Sequence, residues 1–138
     1  MRRMHEESAE ESVEEYNRQA MIQLTSEKYN HAIAYLNQAL FKVRLMLDSP
    51  KKNSLAALTY NNLGCFYKRL GQTDQSLEYF FQSLDLESNG INSCESLANT
   101  HLNISVLLSL KNNHEHSLKY AIKALMILKK DYKTIPSL

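Results

Sequence analysis

Three stretches of this chain align with one another without a gap, and that self-similarity restricts the fold more than any other feature. Residues 60–87, YNNLGCFYKRLGQTDQSLEYFFQSLDLE, match 101–128, HLNISVLLSLKNNHEHSLKYAIKALMIL, at an offset of 41. They match 16–43, YNRQAMIQLTSEKYNHAIAYLNQALFKV, at an offset of 44. Three columns are small in every copy: Ala20, Gly64 and Ser105; Ala32, Ser76 and Ser117; Ala39, Ser83 and Ala124. Large residues fill columns between them: Ile33, Leu77 and Leu118; Tyr35, Tyr79 and Tyr120; Leu40, Leu84 and Leu125. Where two helices cross with axes about 8–10 Å apart, only small side chains fit at the contact. Each copy therefore reads as one antiparallel helix pair, and a stack of such pairs reads as a solenoid.

Apolar residues recur at helical spacing almost throughout, and no segment alternates as a half-buried strand does. With only three glycines and two prolines, the chain suits long helices and short turns. The pattern predicts helices over about 7–25, 28–47, 54–70, 73–88, 94–111 and 113–131. Asp48-Ser49-Pro50 is expected to end the second, because Pro disfavours helix in the residue before it. Gly71 is expected to end the third as a left-handed stop, Thr73-Asp74 to cap the fourth, Asn89-Gly90 to end it, and Asn112-Asn113 to separate the last pair. The expected organisation is a charged lead-in over 1–12, three repeats over about 13–53, 54–93 and 94–131, and a tail over 132–138.

Composition narrows the function. The 138 residues carry a formal charge of +1 with 22% charged side chains. A protein that grips phosphates shows a basic excess or stripe, so nucleic acid is not an expected partner. Charge is nonetheless uneven. Glu6, Glu7, Glu10, Glu11, Glu14 and Glu15 crowd the first helix, and Lys119, Lys123, Lys129, Lys130 and Lys133 the last. Acids suit a helix start and bases a helix end; attraction between copies head to tail, or an acidic partner, is the other reading. Cys65 and Cys94 make no disulfide framework, and no apolar run approaches a membrane span. No phosphate-binding loop, zinc-spaced cysteine pair or catalytic constellation is apparent. His114 and His116, two apart on a helix, point in different directions. No cofactor, metal or enzymatic activity is expected.

The second copy has Leu63-Gly64, then Tyr67, Gly71, a small residue at Ser76, Phe80, and a small residue at Ser83. In this it resembles the tetratricopeptide-repeat (TPR) family, and the resemblance extends over about 13–131. Departures are the early aromatic (Tyr16, Tyr60, His101, never Trp), the missing closing Pro (Arg44, Ser88 and Lys129 stand there), and spacings of 44 and 41 in place of the family's shorter period. The long spacing is similar to that of kinesin light chain repeats, and it predicts second helices that run on, with a longer connection to the next pair. The resemblance implies an all-α, right-handed α-solenoid of three antiparallel helix pairs whose first helices line a concave face.

Carried over by register, that face would present Asn17, Met21 and Leu24; Asn61, Asn62, Cys65, Lys68 and Arg69; and Asn99, Leu102, Asn103, Val106 and Leu110. Asn62 and Asn103 share a column. A side-chain amide bonds both edges of an extended peptide, and Asn in mid-helix wants a reason; bonding a neighbouring repeat, or facing water, is the alternative. The TPR proteins that clamp chaperone C-termini use Lys, Asn and Arg, whereas the matching positions here are Asn17, Met21, Asn62, Asn99 and Asn103, so chaperone tails are not expected ligands. At the other end, Ala124, Leu125, Met126, Ile127 and Leu128 wrap more than a helical turn. One side packs on the preceding helix, leaving Leu125, Met126, Ile127 and Leu128 as a candidate docking face for another subunit or a second copy.

The expected function is a scaffold or adaptor that binds a peptide or helix of a protein partner, with no nucleic acid and no membrane. A constitutive structural subunit of a large cytoskeletal or ciliary assembly is the alternative; an enzyme or nucleic-acid protein on a helical scaffold is a distant third. The expected compartment is cytoplasmic, with cytoskeletal or ciliary association by analogy.

Overall fold

The computed structural model describes residues 2–87 and 94–132, with side-chain surroundings over 8–87 and 95–130. Six helices follow in order: α1 Arg2–Thr25, α2 Tyr29–Leu45, α3 Pro50–Arg69, α4 Thr73–Glu87, α5 Cys94–Leu110 and α6 His114–Tyr132. The described residues hold helices and short connections, with no strand among them. The chain divides into two compact units, 1–91 with α1 to α4 and 92–138 with α5 and α6.

The turn inside each pair is built the same way three times. Glu27, Gly71 and Asn112 share one column and all take positive φ, at 61°, 75° and 61°. The following amide donates to a carbonyl five residues back: Lys28 to Gln23 at 2.8 Å, Gln72 to Tyr67 at 2.9 Å, Asn113 to Leu108 at 2.9 Å. This is the left-handed helix stop in which two orphan carbonyls are satisfied at once. Gly71 marks it in sequence; Glu27 does not.

Between pairs, the boundary differs from the expectation. Pro50 opens α3 rather than following a gap before it. Ser49 is extended and its Oγ accepts from the Lys52 amide at 3.0 Å. Pro at the first helical position costs nothing, because its missing N–H would have no intrahelical acceptor. The connection from α2 is only 46–49, so the long repeat spacing is taken up by helix, above all by the 20 residues of α3. Likewise 2–12 is not a separate lead-in but the beginning of α1, where good helix formers such as Glu and Ala continue the helix. The Asn89-Gly90 stop lies outside the described residues.

Small columns mark the crossings. In α3–α4, Ser76 Oγ donates to the Gly64 carbonyl at 2.7 Å. In α5–α6, Ser105 and Ser117 each donate to the other's carbonyl at 2.8 Å. Ser83 Oγ donates to the Ala57 carbonyl at 2.8 Å. The columns of the early aromatic and the later tyrosine also pair three times: Tyr16–Tyr35 at 6.3 Å, Tyr60–Tyr79 at 6.1 Å and His101–Tyr120 at 5.8 Å between ring centroids. Two apolar clusters join the pairs of unit 1–91. Ala20, Leu24, Ala32 and Leu36 meet Leu63 and Phe66 of α3 in one; Val13, Ala39 and Val43 meet Leu55 in the other.

Candidate protein-binding site

The residues expected on the first helices separate into buried and presented groups. Asn17 and Asn62 are not presented. They are 2% and 6% exposed, at the junction of α1 and α3. Asn62 Nδ2 donates to Asn17 Oδ1 at 2.9 Å, and Asn17 Nδ2 donates to Thr59 Oγ1 at 2.9 Å and to the Val13 carbonyl at 3.0 Å. Thr59 Oγ1 in turn donates to the Leu55 carbonyl at 2.8 Å. The mid-helix Asn of this column therefore bonds the neighbouring pair, and the expectation that Asn62 lies open to a peptide is corrected. A buried amide left unpaired is costly, which is why two of them face each other here.

Five other expected residues surround one cleft. Met21 and Leu24 of α1 and Cys65, Lys68 and Arg69 of α3 line, together with Thr25, a space of about 450 Å³. Leu24 is buried in its floor, Met21 and Cys65 are half-buried, and Arg69 is exposed. Burial pushes the Cys65 thiol up, and Lys68 partly offsets this, so the thiol stays protonated and adds apolar surface. Asn61, on the same helix, is half-buried. The cleft thus offers an apolar floor with two basic side chains at its α3 side.

In unit 92–138, α5 carries Asn99, Leu102, Val106 and Leu110 exposed along one stripe, with Asn103 half-buried beside them. On α6, Ala124 is fully buried at its crossing column, Leu125 and Met126 are each 65% exposed, and Ile127 and Leu128 are half-buried. Leu118 at 61% and Ile122 at 46% extend this apolar surface. Neither is among the expected docking residues. Leu118 sits in a column assigned to packing, and only the register with Ile33 and Leu77 reveals that a packing position has been left open. Outside this unit, Phe41 and Leu45, one turn apart on α2, are also exposed.

Antiparallel helix pairs with small crossings, and a first-helix cleft of apolar and basic side chains, define a helical-repeat module. The chain carries tetratricopeptide repeats: the sequence model described as Tetratricopeptide repeat matches residues 7–40 and 57–89. Among solved structures, BtubC (BKLC) from P. vanneervenii is similar with a TM-score of 0.76 and 21% identity, over 91% of this chain and 50% of that one. Two structures of MamA are similar with TM-scores of 0.67 and 0.65 at 20% identity, over 88% and 91% of this chain. They share the fold, and this chain spans between 50% and 61% of their length. No curated protein matches the sequence. Among the described residues, no helix is long and apolar enough to cross a membrane.

Proposed function

We propose that this protein is an adaptor that holds a peptide or helix of another protein in the α1–α3 cleft and docks on another subunit through α6. The cleft carries the first part. Its floor of Met21, Leu24 and Cys65 suits one apolar side chain, and Lys68 and Arg69 suit an adjacent carboxylate. The Asn17–Asn62 amide pair and the cluster of Leu24, Leu63 and Phe66 hold α1 against α3, so the ligand meets a preformed surface and loses less affinity to ordering. In unit 92–138, the α5 stripe of Asn99, Leu102, Asn103, Val106 and Leu110 is a second presented surface of mixed amide and apolar character. For the second part, exposed Leu125 and Met126 speak for a contact, since burying such side chains is worth about 1.5–3 kcal/mol each.

Cys65 provides the test. In a Cys94→Ser chain, alkylation of Cys65 reports occupancy of the cleft. A peptide with one leucine flanked by glutamates is expected to slow alkylation, and the double change Lys68→Glu, Arg69→Glu to weaken its binding about tenfold, or 1.4 kcal/mol. Undiminished binding to the charge-reversed chain sinks the cleft reading.

A further inference from the structure

The first helix pair shows how this fold receives a following helix. α3 seats Phe66 and Leu63 against Leu24 and Leu36, with Met21, Ile33 and Leu40 packed around that cluster, and Asn62 bonds Asn17. The repeat register carries this receiving surface onto unit 92–138: Asn17, Met21, Ile33 and Leu40 correspond to Leu102, Val106, Leu118 and Leu125. These are 39%, 48%, 61% and 65% exposed. The third pair thus holds open the surface that the first pair covers with α3.

The surface is not a copy of the first. Leu102 replaces Asn17, so it has no amide to meet an incoming Asn. Ser109 and Ala121 replace Leu24 and Leu36, removing side-chain volume beneath the place where Phe66 lies. We propose that this face takes one amphipathic helix of a partner protein, seated as α3 is seated on the first pair. That helix carries an aliphatic residue in the Asn62 column and a large aromatic in the Phe66 column. The inference rests on the α6 docking reading above and adds the register and chemistry of the occupant.

A second copy fits poorly. In the columns where α3 carries Leu55, Thr59 and Asn62, α1 carries Glu11, Glu15 and Arg18, and Glu15 and Arg18 form an ion pair at the surface. Seating α1 on leucines would strip water from these charges without new partners. Pairing two copies of 92–138 would oppose segments that each hold six lysines against three acidic residues, and like charges disfavour such a contact.

The probes are two labelled helical peptides of residues 50–70, one native and one with Asn62→Leu, titrated into the isotope-labelled full chain. The Asn62→Leu probe is expected to shift the methyl resonances of Leu102, Val106, Leu118 and Leu125 and to bind about tenfold tighter than the native probe. Its affinity should fall about tenfold in a Leu118→Glu or Leu125→Glu chain and be unmoved by Lys68→Glu, Arg69→Glu. Equal affinity for both probes, with the shifts at these methyls, overturns the proposed chemistry and leaves the α6 docking reading standing. No shift at these methyls with either probe overturns both. A dimer by light scattering that Leu125→Glu dissolves makes the occupant a second copy and overturns the proposal.

Discussion

Gly64 and Phe80 are one packing unit. A methyl built on Gly64 would lie 2.8 Å from the Phe80 ring, and that ring is fully buried. The same two columns hold Ala20 with Leu36 in the first pair and Ser105 with Ala121 in the third: where the crossing residue grows, its opposite shrinks. Gly64→Ala is therefore expected to destabilise the protein by about 1–3 kcal/mol, the usual cost of overpacking. Adding Phe80→Leu should cost less than the sum of the two single changes, because the pair then resembles Ala20 with Leu36; a urea-denaturation cycle measures the difference. Glu27 offers the opposite case. It occupies the left-handed stop with a β-carbon, at φ 61°, where Gly71 serves in the next pair. Glu27→Gly is expected to raise stability by about 0.5–1 kcal/mol, read as an upward shift of the thermal midpoint.

At the scale of elements, α1 and α3 are held together by amides as well as by apolar packing. Asn17→Ala removes the acceptor of Asn62 and is expected to cost about 1–3 kcal/mol, because a buried donor is left unpaired. Replacing both partners, Asn17→Leu with Asn62→Leu, should recover much of that loss; equilibrium unfolding of the three variants tests it. Near the end of α4, Glu87 is 4% exposed. Its Oε1 lies 3.3 Å from Ser83 Oγ, whose one hydrogen is shared with the nearer Ala57 carbonyl, and Oε2 has no hydrogen bond. Burial raises its carboxyl above the usual range, against the smaller lowering by Ser83. A raised folded-state pKa means the folded chain binds the proton more tightly than the unfolded chain does. The contribution of Glu87 to stability is therefore lost as pH rises from the ordinary carboxylate range through the folded-state pKa. Glu87→Gln is expected to be more stable than the parent above the folded-state pKa of Glu87, with a flatter dependence of the unfolding midpoint as pH rises from the ordinary carboxylate range. An unchanged slope would remove Glu87 as its source.

For the whole molecule, the distribution of exposed side chains distinguishes the first pair from the third. The first pair carries Glu11, Glu15 and Arg18 where α3 carries residues packed on their neighbour, so that face of α1 is polar. The third pair carries leucines where the first pair is covered. Leu118→Glu and Leu125→Glu, at exposed positions, are expected to change stability by no more than about 0.5 kcal/mol. A thermal scan on the same preparations used for binding checks this, so that lost docking is not mistaken for lost folding.

The fold was legible because helix pairing writes itself into sequence at short range. Small residues mark each crossing, Gly71 marks a left-handed stop, and two offsets superpose three copies; these follow from the geometry of adjacent helices. Cys65, Lys68 and Arg69 were assigned to the first-helix face only through the resemblance to tetratricopeptide repeats, carried over by register. The sequence alone thus determined the helix pairs and their register. Only the tertiary structure decided what lies open. Asn17 and Asn62 are polar and centrally placed, and composition cannot tell an amide that awaits a peptide from one that has found another amide across a helix junction. The packing column of Ile33 poses the converse problem: its counterpart Leu118 reads as core in sequence, yet the structure leaves it uncovered. Burial is set by which surfaces meet across the chain, and a local pattern carries no record of that meeting.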